Sequence, residues 1–257
     1  MTTQIERANQ LNALHVKGDP LILFNIWDAG SAQAVRSTGA KAIATGSLSV
    51  AAAQGYEDGE KLPFDGVLAN LKRIIASIDL PVTIDLEGGY GQNPSEVQQT
   101  VIKVMAAGAV GINLEDQKIC GDGLYSAEEQ CERIRAVRTA ADDASMPLFI
   151  NARTDIFLKA NSAHHAASHL DEAVRRAQYY AEAGANGFFA PGLRNPKYIE
   201  TLCALSPVPV NIMVMSDTPS TKQLVELGVA RISYGPEPYH QVMAMLQEAG
   251  QKALSWK

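Results

Sequence analysis

The sequence has little cysteine: three residues, Cys120, Cys131 and Cys203, at unrelated spacings. An odd, irregular set excludes a disulfide framework and a thiolate zinc site, and reads as the reduced thiols of a cytoplasmic protein. Long apolar runs are also missing. None approaches the ~20 residues that cross a bilayer, and the opening Met1-Thr2-Thr3-Gln4-Ile5-Glu6-Arg7 carries no secretion signal, so no membrane partner is expected. Positive charge is scarce: 22 Lys and Arg stand against 28 Asp and Glu, a net charge of −6. That balance excludes a broad nucleic-acid surface, which needs clustered cations. No Pro/Gly/Ser linker and no break in charge divides the 257 residues. Residues 1–257 therefore read as one domain, a length that α/β barrels reach as a single unit.

What is present is a repeat. A helix end, a glycine and a short apolar run recur at Ser37-Thr38-Gly39-Ala40, Ala107-Gly108-Ala109-Val110, Ala183-Gly184-Ala185-Asn186 and Leu227-Gly228-Val229-Ala230. Each glycine suits the left-handed conformation that ends a helix. Each following run is too short for a helix and apolar on both faces, as a strand buried between layers is. Four more such runs, Leu21–Ile26, Val82–Leu86, Leu148–Asn151 and Val208–Met213, begin at prolines, which lose no ladder partner at a strand entrance. Helix starts fall between them at Asn93-Pro94, Ser126, Ser168 and Thr218-Pro219-Ser220. Eight strands in α/β alternation predict a (β/α)8 TIM-type barrel. A doubly wound open sheet is the structural rival.

In such a barrel the carboxyl ends of the strands line the active site, and polar residues collect there. The ends read Asn25-Ile26-Trp27-Asp28, Thr45-Gly46-Ser47, Asp85-Leu86-Glu87, Asn113-Leu114-Glu115-Asp116, Asn151-Ala152-Arg153-Thr154-Asp155, Asn211 and Ser233-Tyr234-Gly235. Asp85 and Glu87 are two apart and share a strand face. Acids converging without Cys or His suit a hard cation, Mg2+ or alternatively Mn2+; otherwise they cap helices or pair with rim cations. Arg153 presents a planar fork to a carboxylate or phosphate, or else to Asp155. Gly46-Ser47-Leu48 offers N–H groups and a hydroxyl to an anion. Together these features describe a site for a small dianionic acid.

These segments, in this order, resemble the isocitrate lyase/phosphoenolpyruvate mutase superfamily over roughly residues 5–255. The resemblance implies Mg2+ held by Asp85, with Asp58, Glu87 and Glu115 acting through water. It implies a substrate carboxylate gripped by Ser47, Leu48 and Arg153, and Trp27 and Asn211 are read as further substrate-binding residues. It also implies a C-terminal helix swapped onto a neighbouring subunit in a homodimer or homotetramer. The shared chemistry passes through a pyruvate-like enolate. Trp27 either walls that enolate or packs at the barrel mouth.

Two departures matter. The second acid of the third-strand motif is Glu87, where Asp is common in the superfamily. The lyases carry a Lys-Lys/Arg-Cys-Gly-His signature on a lid, whereas this chain reads Lys118-Ile119-Cys120-Gly121-Asp122. Cys120 is the candidate acid/base, with a free thiol in a shortened loop as the alternative. No additional Arg/Lys cluster awaits a phosphonate. The expected activity is therefore C–C cleavage of a small 2-hydroxy- or 2-oxo-dicarboxylate. P–C chemistry, a sugar- or indole-phosphate barrel and a non-catalytic binding protein are the rivals. His164, His165 and His169 look like a metal tract but are read as loop residues.

Overall fold

The computed structural model describes residues 2–160 and 165–255. Eight strands are present: β1 (Leu21–Leu23), β2 (Ile43–Ala44), β3 (Val82–Asp85), β4 (Gly111–Glu115), β5 (Phe149–Arg153), β6 (Gly187–Phe189), β7 (Val210–Met213) and β8 (Arg231–Ser233). All pairings between them are parallel, in the order β1-β8-β7-β6-β5-β4-β3-β2. A parallel bridge from Ile26 to Thr45 joins the two remaining edges and closes the barrel, leaving no exposed sheet edge. All eight strands lie where the apolar runs predicted them.

Helices α1 (Gln4–Ala13), α2 (Ala29–Ser37), α3 (Ser47–Ala53), α4 (Phe64–Ser77), α5 (Pro94–Ala106) and α6 (Ala127–Asp143) alternate with the first strands. They are followed by α7 (Ile156–Lys159), α8 (Ala167–Glu182), α9 (Pro196–Leu205), α10 (Thr221–Glu226) and α11 (Glu237–Leu254). The caps are those the sequence offered: Asn93 accepts from the Glu96 N–H, and Ser126 and Ser220 form capping boxes with Glu129 and Gln223. One start differs. α8 begins before Ser168, and the His169 ring accepts from the Ala166 N–H at 3.0 Å in place of a serine cap. The repeat glycines Gly39, Gly108, Gly184 and Gly228 all have positive φ.

Strand alternation divides the core. Outward residues such as Ile84, Ile112, Ile150 and Ile232 pack with Val101, Ile134 and Leu202 of the helices. Inward residues Leu21, Leu23, Ala44 and Phe149 pack with Ala8 and Leu11 of α1, which plugs the amino end of the barrel. Truncating fully buried Leu11 to alanine would leave a void there, at a cost of about 2–5 kcal/mol. The plug leaves the carboxyl end as the barrel's open mouth. There register sets Asp85 beside Asn113, Glu115 beside Arg153, and Met213 beside Ser233.

Candidate active site

The mouth encloses a cavity of about 160 Å3. Its polar side is lined by Ser47, Asp58, Asp85, Asn113, Arg153 and Ser233, and its apolar side by Leu158, Phe189, Pro191, Met213 and Pro236. Leu48 also faces it.

Asp85 ends β3. Its Oδ2 accepts from the Ser47 hydroxyl at 3.1 Å and N–H at 3.4 Å, while Oδ1 is buried without a partner. A buried carboxylate oxygen needs a compensating donor or cation. Asp58 approaches the same point, bonded to Ser47; burial and then the Asp85 charge push its carboxyl upward.

Glu87 lies beyond the strand, where the chain turns sharply. Its φ is +52°, a conformation rare for a side chain of this size. The turn presses onto α5: a Cβ on Gly89 would come within 2.9 Å of Val97, and one on Gly91 within 2.6 Å of Glu96. That closeness accounts for Gly89 and Gly91, while a Cβ on Gly88 would come within 2.8 Å of Ile119. Glu87 Oε2 accepts from the N–H groups of Gly59 and Glu60 at 2.8 and 2.7 Å, and Oε1 from the Tyr90 hydroxyl at 3.2 Å. Burial, with the Asp58 charge second, raises Glu87 to about 7.

Glu115 ends β4 and meets Arg153 Nη1 at 2.8 Å. Burial raises Glu115 well above the usual carboxylate range, against the pull of Arg153. Burial likewise opposes the Arg153 charge, but Glu115, Asp155 and Asp85 together outweigh it. Of the two, Arg153 keeps its proton, since a guanidinium does not titrate in this range. Its remaining nitrogens are committed: Nε and Nη2 donate to the two Asp155 oxygens at 2.6 and 2.9 Å. The Asp155 backbone N–H donates to Asp116, which is held in turn by Arg176 and Tyr180.

The other predicted residues are placed as follows. Asn211 is buried below the cavity, accepting from Asn151 and donating to Ser233 and to backbone carbonyls. Trp27 packs edge-on against Tyr239 of α11 at 5.2 Å and does not line the cavity. Cys120 is exposed and borders a neighbouring cavity of about 440 Å3 with Glu60, Tyr90, Tyr125 and Arg133. His165 bonds the Phe157 carbonyl; His169, expected in a loop, instead lies in the first turn of α8, where its ring caps the Ala166 N–H; His164 lies outside the described residues. Among the described residues no three His, Cys, Asp or Glu side chains close into a ready-made metal cluster.

Sequence reading missed the apolar wall. Phe189 and Met213 at strand ends look like core. It also missed Tyr90 as the partner of Glu87, because only the left-handed turn brings them together.

The sequence profile of the phosphoenolpyruvate phosphomutase family matches residues 11–254. The chain belongs to that family. Its homologues are lyases and mutases of the isocitrate lyase/phosphoenolpyruvate mutase superfamily, as the strand-end motifs implied. Among phosphomutase-family relatives, the 2-methylisocitrate lyase of Escherichia coli K12 is 32% identical over 85% of this chain and 74% of its own. A crystal structure from Burkholderia cenocepacia J2315, provisionally named a phosphonomutase, is 47% identical with a TM-score of 0.95, covering 98% of this chain and 100% of that one. Phosphonopyruvate hydrolase, crystallised with oxalate and Mg2+, shares the fold at 23% identity and a TM-score of 0.83, over 96% of this chain and 86% of its own.

Proposed function

We propose that this protein is a Mg2+-dependent lyase, with Mn2+ as an alternative metal, that cleaves a C–C bond in a small 2-hydroxy- or 2-oxo-dicarboxylate and leaves a pyruvate-like enolate. The observation that carries this is the unpartnered, buried Oδ1 of Asp85, which lines the cavity with Asp58 and whose charge acts on Asp58, Glu87 and Glu115. Hard oxygen donors with an orphaned member fit Mg2+. Asp85 would hold the ion, and the other acids, already bonded elsewhere, would act through water. When bound, the cation supplies positive charge to the oxygen where the enolate develops. Ser47 and Leu48 line the same cavity and would receive the substrate carboxylate, with Arg153 beside them. Phe189, Met213 and Leu158 exclude water from the opposite side. Cys120 would donate the proton to the enolate carbon that C–C cleavage leaves, which requires its loop to fold from the neighbouring cavity over the acids.

A second reading is P–C bond chemistry, favoured by the provisional name of the 47%-identical Burkholderia protein. Against it, Arg153 is the one cation lining the cavity among the described residues, and Asp155 and Glu115 already pair it. The experiment is a substrate panel with Mg2+. Pyruvate release from alkylmalates or oxaloacetate supports the lyase, and turnover of phosphonopyruvate alone overturns it.

The molecule is also proposed to work as a homodimer or homotetramer with α11 exchanged between subunits, in the cytoplasm. α11 exposes Val242, Met245 and Leu246, and Ile22 of β1 and Phe24 just after it are exposed as well. Each is an apolar face that a second copy would cover. No described helix is long and apolar enough to cross a membrane.

A further inference from the structure

Arg231, the first residue of β8, is 1% exposed and points into the barrel. Its Nη2 donates to Asn113 Oδ1 at 3.2 Å, while Nε and Nη1 have no partner. It joins none of the ion pairs among the described residues. His15, which feels the Arg231 charge, offers no compensation: burial first, and then that charge, push its pKa down to about 3, so the ring is neutral. The acid whose charge reaches Arg231 is Asp85. Between Arg231 and the mouth lies a bonded layer of asparagines, in which Asn151 donates to both Asn113 and Asn211. Asn113 is in register with Asp85 and lines the cavity.

A guanidinium buried without a counterion is costly, and in a dry interior its charge is poorly screened. Toward the mouth stand Asp58, Asp85, Glu87, Glu115 and Asp155, whose ion pairs among the described residues are all with Arg153. We propose that Arg231 is a positioning residue for substrate charge: a fixed cation under the asparagine layer that weakens the site's hold on a bare divalent cation and strengthens its hold on an anionic substrate. The inference rests on the divalent-cation and diacid reading above.

A charge acting through the barrel moves the two affinities in opposite directions, which a merely structural residue does not. In Arg231→Met, Mn2+ affinity measured by electron paramagnetic resonance should rise on the order of tenfold, while oxalate affinity at saturating Mn2+ should fall by a similar factor. Thermal stability should hold or rise, since an apolar residue of similar volume replaces an unpaired buried charge. Unchanged affinities, or both falling together, overturn the proposal. If Arg231→Met does not fold, Arg231→Gln is measured in its place, and failure of both to fold shows a structural role and also overturns it. Wild-type protein that binds no Mn2+ refutes the metal reading instead; oxalate binding without metal, compared between wild type and variant, then decides the role of Arg231.

Discussion

Arg153 donates two parallel hydrogen bonds to Asp155, two residues further along the chain, at 2.6 and 2.9 Å. This fork fixes the guanidinium plane and leaves Nη1 aimed at Glu115 and, at 3.7 Å, Asp85. The cation at the mouth is thus placed by its own strand end before any ligand arrives.

Asp155→Asn should loosen that placement. Charge-assisted bonds contribute about 1.5–3 kcal/mol, so oxalate affinity should drop roughly tenfold to a hundredfold, read by titration calorimetry. An affinity equal to wild type would show that Arg153 needs no such brace.

Asp85→Ala should abolish saturable Mn2+ binding while leaving the melting temperature equal or higher, because it removes one of several mutually repelling acids. Retained Mn2+ affinity would falsify the metal assignment.

Glu87 links stability to pH. Its pKa is raised from 4.5 to about 7, so between those values the folded protein holds a proton that the unfolded chain has released. Stability from this group is therefore present at low pH and lost as pH rises through that window. In chelator, the melting-temperature advantage of Glu87→Gln over wild type should grow from pH 5 to pH 8. Addition of Mg2+ at pH 8 should favour wild type. A pH-independent difference would refute the raised value.

Cys120→Ser should lower turnover at least a hundredfold with oxalate affinity kept, if the β4–α6 loop delivers the thiol. Full activity in the serine variant would leave Cys120 a loop residue.

Met245→Glu with Leu246→Glu should convert the oligomer to monomer in sedimentation analysis, because charges would replace the exposed apolar face of α11. An unchanged sedimentation coefficient would count against helix exchange.

The sequence by itself determined the barrel and marked the acids at its strand ends. Buried parallel strands must be apolar on both faces, helices must stop at left-handed glycines, and polar residues that survive at strand ends stand out against that background. Asp85, Glu115 and Arg153 were legible for this reason. Tertiary structure decided which partner each group takes. Only the closed barrel shows that Arg153 is committed to Asp155 and Glu115, that Asn211 belongs to the floor, that Trp27 packs edge-on against Tyr239, and that Cys120 borders a different cavity. It also decided that Arg231 lies uncompensated beneath the site. A linear pattern records which residue a strand carries and which face it occupies. The distances that turn charge into bonding, repulsion or affinity arise across strands far apart in sequence, where register and closure set them.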